Sequence, residues 1–229
     1  YPTWYQTGAA VDDVEVVLCG DGGDELFAGY KRYRQHLRSA WRRHLPAWLK
    51  LRPAPAIVPG KRERLALEAS LGWLASYPLR FSGIGLSERT ALQPDFATRP
   101  HWWRIPESLA GRSPIEQLLA VDGENYLPEY ILRKADLLTM AHGLEARAPL
   151  LDHVFVGRVL AMPPAERFSD PAKQALAGVC PQAAEFAFFE RKKMGFNPPV
   201  HPLLQSLRPR LAGLPERLAA NTDGQLSAG

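Results

Sequence analysis

"VVLCGDGGDELFAGYKRY", from Val16 to Tyr33, passes from an apolar run through clustered glycines and acids into a basic, aromatic segment. Val14 to Leu18 is short and rich in β-branched residues, which suits a buried parallel strand. Gly20, Gly22 and Gly23 follow at once, and helical spacing begins near Leu26. Glycines between a parallel strand and a helix let the backbone approach a phosphate, whose charge the amides at the helix N-terminus favour. Asp21 and Asp24 would repel a bare polyphosphate, and a divalent cation between carboxylates and phosphates, Mg²⁺ above all, removes that conflict. Strand, glycine turn, aspartates and helix together point to magnesium-nucleotide chemistry. The same residues also suit a plain helix start, with Asp24 and Glu25 meeting the dipole for about 0.3–1 kcal/mol each and Gly22 and Gly23 making a tight turn. Both readings stand on this stretch alone.

The 229 residues, 46% hydrophobic and 23% charged, can bury a sizeable core as one large or two small domains. Apolar runs fall well short of the roughly 20 residues that span a bilayer, and the N-terminus has no secretory pattern, so the expected location is the cytoplasm, with no membrane partner. Cys19 and Cys180 lie too far apart in sequence to form a metal-ligand pair or a disulfide framework, which fits a reducing compartment. The net charge of +4 is uneven: Lys31 to Arg64 holds eleven Lys or Arg against Glu63 alone. Such a segment can meet a polyanion. However, Tyr30, Tyr33, Leu37, Trp41, Leu45 and Trp48 recur at helical spacing, so the charges are read mainly as a solvated helix face, and nucleic acid is not expected as a partner.

Along the chain, Thr3 to Ala10 reads as the end of a helix and Leu26 to Leu51 as one long helix, closed by "RPAPAIVPG" at Arg52–Gly60. Arg62 to Tyr77 looks helical, Ser82 to Trp103 irregular. Ser113 to Met140 is the best helical zone, with Ser113 and Glu116 forming a capping box and Pro128 splitting it in two. Helices are expected near Val154–Met162 and Ala172–Val179, then a Pro-rich tail. Only one strand is evident, at the start, and a strand buried on both faces needs neighbours and crossover helices. The chain is therefore read as the C-terminal portion of a larger α/β domain.

"GGDEL" looks like the GGDEF signature of diguanylate cyclases, but that motif sits on a hairpin, whereas Phe27 to Leu37 carries helical spacing. A second stretch, "YLPEYILRKADLLTMAHGLEARAPLLDHVFVGRVLAMPP" at Tyr126–Pro164, is more telling, as is "ERKKMGFNPP" at Glu190–Pro199. With the opening segment, and in the right order, these resemble the synthetase domain of the glutamine-hydrolysing asparagine synthetases, whose patterns run close to "LSGxGxDElFgGY", "YLpddlLxKxDrxSMAhsLExRvPfLDh" and "RxKxGFxxP". The resemblance covers most of residues 12 to 204. It implies an α/β fold of the adenine-nucleotide alpha-hydrolase-like, PP-loop ATPase type, of which this chain is the mostly helical C-terminal portion with one early parallel strand. Residues 1–30 would hold the strand and nucleotide loop, 31–204 the helical part and 205–229 a tail.

The resemblance also implies ATP and Mg²⁺ as cofactors and a carbon-nitrogen ligase activity. ATP would activate the carboxylate of aspartate, or of another acid, as an acyl adenylate, and ammonia from a glutaminase domain would form the amide. Carried over by motif, Asp24 stands near the metal and pyrophosphate, and Cys19, Gly20, Gly22 and Gly23 lie in the adenylate loop. Asp21 and Glu145 border the acyl and acceptor site, and Lys193 stabilises charge during transfer. A fixed ammonium is well suited to oxygen anions formed by attack at phosphorus and then at carbon. For Asp152 and His153 a helix-capping role is favoured.

The pattern also has departures. The "SGGxDS" pyrophosphate loop and the cysteine-nucleophile glutaminase are absent from these residues. Cys19 replaces the usual Ser and removes a hydroxyl from the loop, Ala28 replaces a common Gly, Leu137 replaces Arg, and the segment around Asp170–Val179 is short. Alternatives kept alongside are an inactive fragment, a paralogue that amidates a sugar or peptide, and a helical polyanion-binding module; a homodimer is compatible with each.

Overall fold

Val16–Leu18 (β1) pairs in parallel with Glu145–Arg147 (β2), in the register Val16 with Glu145, Val17 with Ala146 and Leu18 with Arg147. The Cys19 amide donates to the Arg147 carbonyl at 2.8 Å and the Glu145 amide to the Glu15 carbonyl at 2.9 Å, extending the ladder at both ends. A second strand thus lies inside the segment expected to be wholly helical and loop. Its three residues contain no β-branched or aromatic side chain, so pairing imposes the strand and local propensity does not announce it. The expectation that β1 is buried on both faces is also corrected: Val16 is 39% and Leu18 74% exposed. These two residues share one face, and that face is uncovered.

A computed structural model describes residues 2–44, 71–81, 104–106, 109, 111–170, 172–179, 182, 186, 200–214 and 217. The chain divides into two compact units, Tyr1–Arg38 with Arg104–Pro198, and Ser39–Trp103 with Pro199–Gly229. In the first unit the helices are α1 (Pro2–Ala10), α2 (Gly23–Leu26), α3 (Lys31–Leu37), α4 (Pro114–Glu124), α5 (Arg133–Met140), α6 (His153–Ala161), α7 (Pro164–Arg167) and α8 (Gln174–Val179). A π-helical segment, Leu127–Leu132, joins α4 to α5, and a 3₁₀ turn, Pro149–Leu151, joins β2 to α6. The second unit holds 3₁₀ turns at Ala40–His44 and Tyr77–Arg80 and the helix α9 (Val200–Leu211). There Trp73 and Tyr77 are buried, the Ser76 hydroxyl donates to the Trp73 carbonyl at 2.8 Å, and Tyr77 meets Phe81 edge to face.

The single helix expected over Leu26–Leu51 breaks almost at once. The Gly29 amide donates to the Asp24 carbonyl at 2.9 Å while Ala28 sits at φ 54°, the six-to-one closure of a Schellman turn. α3 then restarts at Lys31 and ends at Leu37; residues 45–70 and 82–103 lie outside the described residues. Between Ser113 and Met140 the capping box forms, with Glu116 accepting from the Ser113 amide at 2.9 Å and hydroxyl at 2.6 Å. Those two donors hold the Glu116 carboxyl below its usual pKa. The break comes at Asn125 (φ −130°), three residues before Pro128, and a wider π turn carries the chain past the proline, with the Arg133 amide reaching back to the Pro128 carbonyl. Residues 71–76, expected as helix, form a bend and, from 73 to 76, turns, and α9 runs through the point where the sequence reading begins a tail.

The core of the first unit lies beneath the glycine segment. Leu26 and Phe27 from α2 pack on Val159 of α6, with Phe155, Val156, Met162, Ala175 and Leu176 around them. Each such side chain stabilises by about 1.5–3 kcal/mol when fully buried. On the other flank α1 docks on α5: the Thr7 hydroxyl lies 2.9 Å from His142 Nδ1, and the Trp4 and His142 rings are 4.2 Å apart. No helix among the described residues is long and apolar enough to cross a membrane.

Candidate functional site

The two strands run parallel, so their carboxyl ends open on the same side, the position at which open α/β sheets bind ligands. From β1 the chain enters the turn Gly20–Gly23; from β2 it enters the 3₁₀ turn Pro149–Leu151. The two turns interlock. Gly22 has φ 90°, and a Cβ there would collide with Leu151, lying 2.6 Å from its Cγ. A Cβ on Gly23 would come within 3.1 Å of Leu150. Glycine at position 22 is therefore required twice, by the left-handed backbone and by the packing. At Gly20 an added Cβ meets nothing within 4 Å, so the backbone there is open to a ligand.

Asp24 stands at the end of this turn, mostly shielded from solvent, with Oδ1 2.7 Å from Lys173 Nζ. Gly29 makes room for the pair, because a Cβ there would overlap Asp24 Oδ1 and lie 2.7 Å from Lys173 Cε. Lys173 itself has φ 71°, unusual for a lysine, and immediately precedes α8. It was not among the candidates: the sequence shows a lysine in a predicted helix, and nothing local ties it to an aspartate across the chain.

Among the remaining candidates, Asp21 lies in the turn and hydrogen-bonds to the Cys19 thiol, whose pKa is raised, chiefly by burial. Glu145 opens β2 and is exposed; its Oε1 accepts from Arg147 Nε at 2.7 Å, which holds its carboxyl below the usual range. No hydrogen bond or ion pair joins Glu145 to Asp21. Lys193, with the whole of "ERKKMGFNPP", lies outside the described residues, as does Cys180. Asp152 has the capping role expected, accepting from the amides of Val154 and Phe155 at 3.0 Å each, with the exposed His153 3.7 Å away.

A polar and aromatic cluster holds the loop from behind. Arg32 places its guanidinium 3.7 Å from the Tyr30 ring centroid and 4.3 Å from that of Tyr126, and pairs with the fully buried Asp122 at 2.7 Å. Tyr33, also fully buried, donates to the same Asp122 oxygen at 2.5 Å. Buried Glu25 accepts from Tyr30 at 2.6 Å; burial pushes the Glu25 carboxyl up, and burial together with Glu25 pushes the Tyr30 phenol up. Arg34 pairs with Asp170 at 2.7 Å. The basic segment is thus partly drawn inward, Arg32 being an internal clamp between α3 and α4 where a solvated face was expected.

Among the described residues no group of three His, Cys, Asp or Glu is arranged to hold a metal ion. Asp24 offers one shielded carboxylate, which fits a magnesium ion that takes its other ligands from phosphates and water and does not fit a closed protein cage.

The family model described as asparagine synthase matches residues 1–227. A Mycobacterium bovis protein provisionally named asparagine synthetase (glutamine-hydrolyzing) is 31% identical over 222 residues, 90% of this chain and 33% of its own length. Bacillus subtilis asparagine synthetase (glutamine-hydrolyzing) 1 is 29% identical over 223 residues, again 90% of this chain and 34% of its own. The chain thus spans about a third of the length of these curated relatives. No solved structure matches it. With three ordered motifs, a glycine turn at the carboxyl end of a parallel strand and a family match over nearly every residue, the chain belongs to the asparagine synthase family.

Proposed function

We propose that the chain is the C-terminal part of an ATP-dependent, amide-forming synthetase of the PP-loop ATPase fold, working in the cytoplasm. The observation that carries this reading is the glycine turn at the carboxyl end of β1, which leaves the Gly20 backbone open and ends in the Asp24–Lys173 pair. An open turn of this kind accepts phosphate, and a carboxylate beside an ammonium offers partners to a cation and an anion at once.

In this reading a carboxylate oxygen of aspartate attacks the α-phosphorus of ATP, the bond from that phosphorus to the bridging oxygen breaks, and pyrophosphate leaves. Ammonia, released from glutamine elsewhere in the longer protein, then attacks the acyl carbon, AMP leaves with the carbon–oxygen bond pair, and the attacking nitrogen gives up its extra proton to solvent. Magnesium, held at Asp24, supplies charge neutralisation for the phosphates when bound. Lys173 exchanges its contact with Asp24 for the departing pyrophosphate oxygens. Gly20, Gly22 and Gly23 keep the backbone low enough for the nucleotide to approach, with Cys19 and Asp21 beside it. Lys193 stabilises oxygen charge in both attacks. Glu145, kept ionised by Arg147, borders the incoming amine.

Calorimetry with Mg-ATP, on this chain and on a version extended N-terminally to the length of its relatives, tests the reading together with pyrophosphate release. The extended protein is expected to release pyrophosphate with aspartate and to lose at least about a hundredfold in rate on Asp24→Asn or Lys193→Met. Full activity in both variants would remove the proposal.

A further inference from the structure

Beneath α2, a solvent-open cavity of about 490 Å³ is walled by α2, α4, α6 and α7, with Leu151 of the 3₁₀ turn beside them. Leu119, Leu127, Val156 and Leu160 make it largely apolar, and Arg167 reaches it from the end of α7. Arg167 is only 5% exposed. Its Nε donates to the Leu26 carbonyl at 2.7 Å, closing the end of α2, and its guanidinium carbon lies 4.8 Å from the Phe168 ring centroid. Among the described residues no acceptor engages its two Nη groups and no carboxylate forms an ion pair with it.

Of the carboxylates on the wall, Glu116 is hydrogen-bonded to Ser113 and Glu25 to Tyr30, while the Glu116 charge also acts on Arg167 without forming an ion pair. Glu124 is exposed at the rim, as is Arg112. Gly123 of α4 lines the mouth of the cavity, exposed to solvent, and a Cβ there would meet nothing within 4 Å.

We propose that this cavity binds a small organic carboxylate with an apolar tail, the carboxylate taken by the free fork of Arg167 and the tail by the leucine and valine wall. Burial lowers the pKa of Arg167 and the Glu116 charge offsets this in part; an anion seated on the fork would offset it further. The planar fork matches a carboxylate in two parallel hydrogen bonds. The site uses none of Gly20 to Asp24, although Leu151 on its wall also packs against Gly22.

Calorimetry of the 229-residue chain with hexanoate, 1-hexanol and inorganic phosphate tests this. Hexanoate is expected to saturate, with the alcohol and phosphate each about tenfold weaker or more. Arg167→Gln keeps a donor for Leu26 and removes the charge; it should weaken hexanoate about tenfold or more and leave hexanol unchanged. Gly123→Leu adds an apolar side chain at the exposed mouth without a clash and should alter hexanoate binding with an equal or higher thermal midpoint, a result that bears on the site even if Arg167→Gln fails to fold. No hexanoate heat at millimolar concentration, equal binding of hexanol, equal binding of phosphate, or unchanged binding in Gly123→Leu would each overturn the proposal.

Discussion

Ala28 ends α2 at φ 54°, in the place of a Schellman turn that glycine usually takes. A left-handed backbone costs an L-residue about 1–2 kcal/mol, part of which glycine returns through the greater freedom of its unfolded chain. Ala28→Gly should therefore stabilise the chain by about 1 kcal/mol, read as a higher urea midpoint at unchanged slope. That strain was half visible beforehand: the motif has a common glycine there, so the departure was legible, but only the Gly29-to-Asp24 bond shows what the glycine is for. Glu25 supports a pH prediction. Burial raises its folded pKa, so its contribution is complete below the ordinary value of 4.5 and is lost as pH rises through the raised one. Glu25→Gln retains an acceptor for Tyr30 and no longer titrates. Unfolding curves from pH 4 to pH 8 should show the variant gaining on the parent as pH rises; parallel curves would mean that Glu25 carries no such penalty.

Between elements, the decisive fit is that of the glycine turn after β1 against the 3₁₀ turn after β2. Gly22→Ala adds a Cβ at φ 90° directly into Leu151, so it should cost about 2–4 kcal/mol, strain and overpacking together. Shortening the obstacle in the double variant Gly22→Ala/Leu151→Ala should recover the overpacking part, a coupling of about 1 kcal/mol or more in a double-mutant cycle by urea unfolding. Additive effects would place the whole cost in the backbone. The turn's glycines were legible because a strand-to-helix turn has a chemical purpose that its residue types reveal. Its partner was not: β2 is three residues of which two are exposed and charged, and only the β1 ladder makes it a strand. Local signals that satisfy themselves locally, such as the Ser113–Glu116 box and the Asp152 cap, were readable for the converse reason.

Across the whole molecule, motif order identified the family from sequence, while the Asp24–Lys173 pair and the Arg32–Asp122 clamp depend on side chains brought together from distant segments, which no local pattern encodes. The same scale exposes a mismatch between composition and burial. β1 has the residues of an interior strand, yet Val16 and Leu18 face solvent, beside the exposed Val14. Isolated exposed apolar residues need no explanation, but a β-branched strand laid open along one face is an aggregation hazard. The curated relatives are about three times as long as this chain, which leaves ample polypeptide to cover that face. Leu18→Lys separates the two situations. In the 229-residue chain the side chain is already 74% exposed, so the substitution should change stability by no more than about 0.5 kcal/mol and raise solubility. In a protein extended N-terminally to the relatives' length, where a neighbouring strand or helix covers β1, the same lysine would be buried and should destabilise by about 2 kcal/mol or more. Urea unfolding of both lengths, each with and without the substitution, checks this: a small effect at both lengths would mean that β1 stays at the surface of the longer protein too.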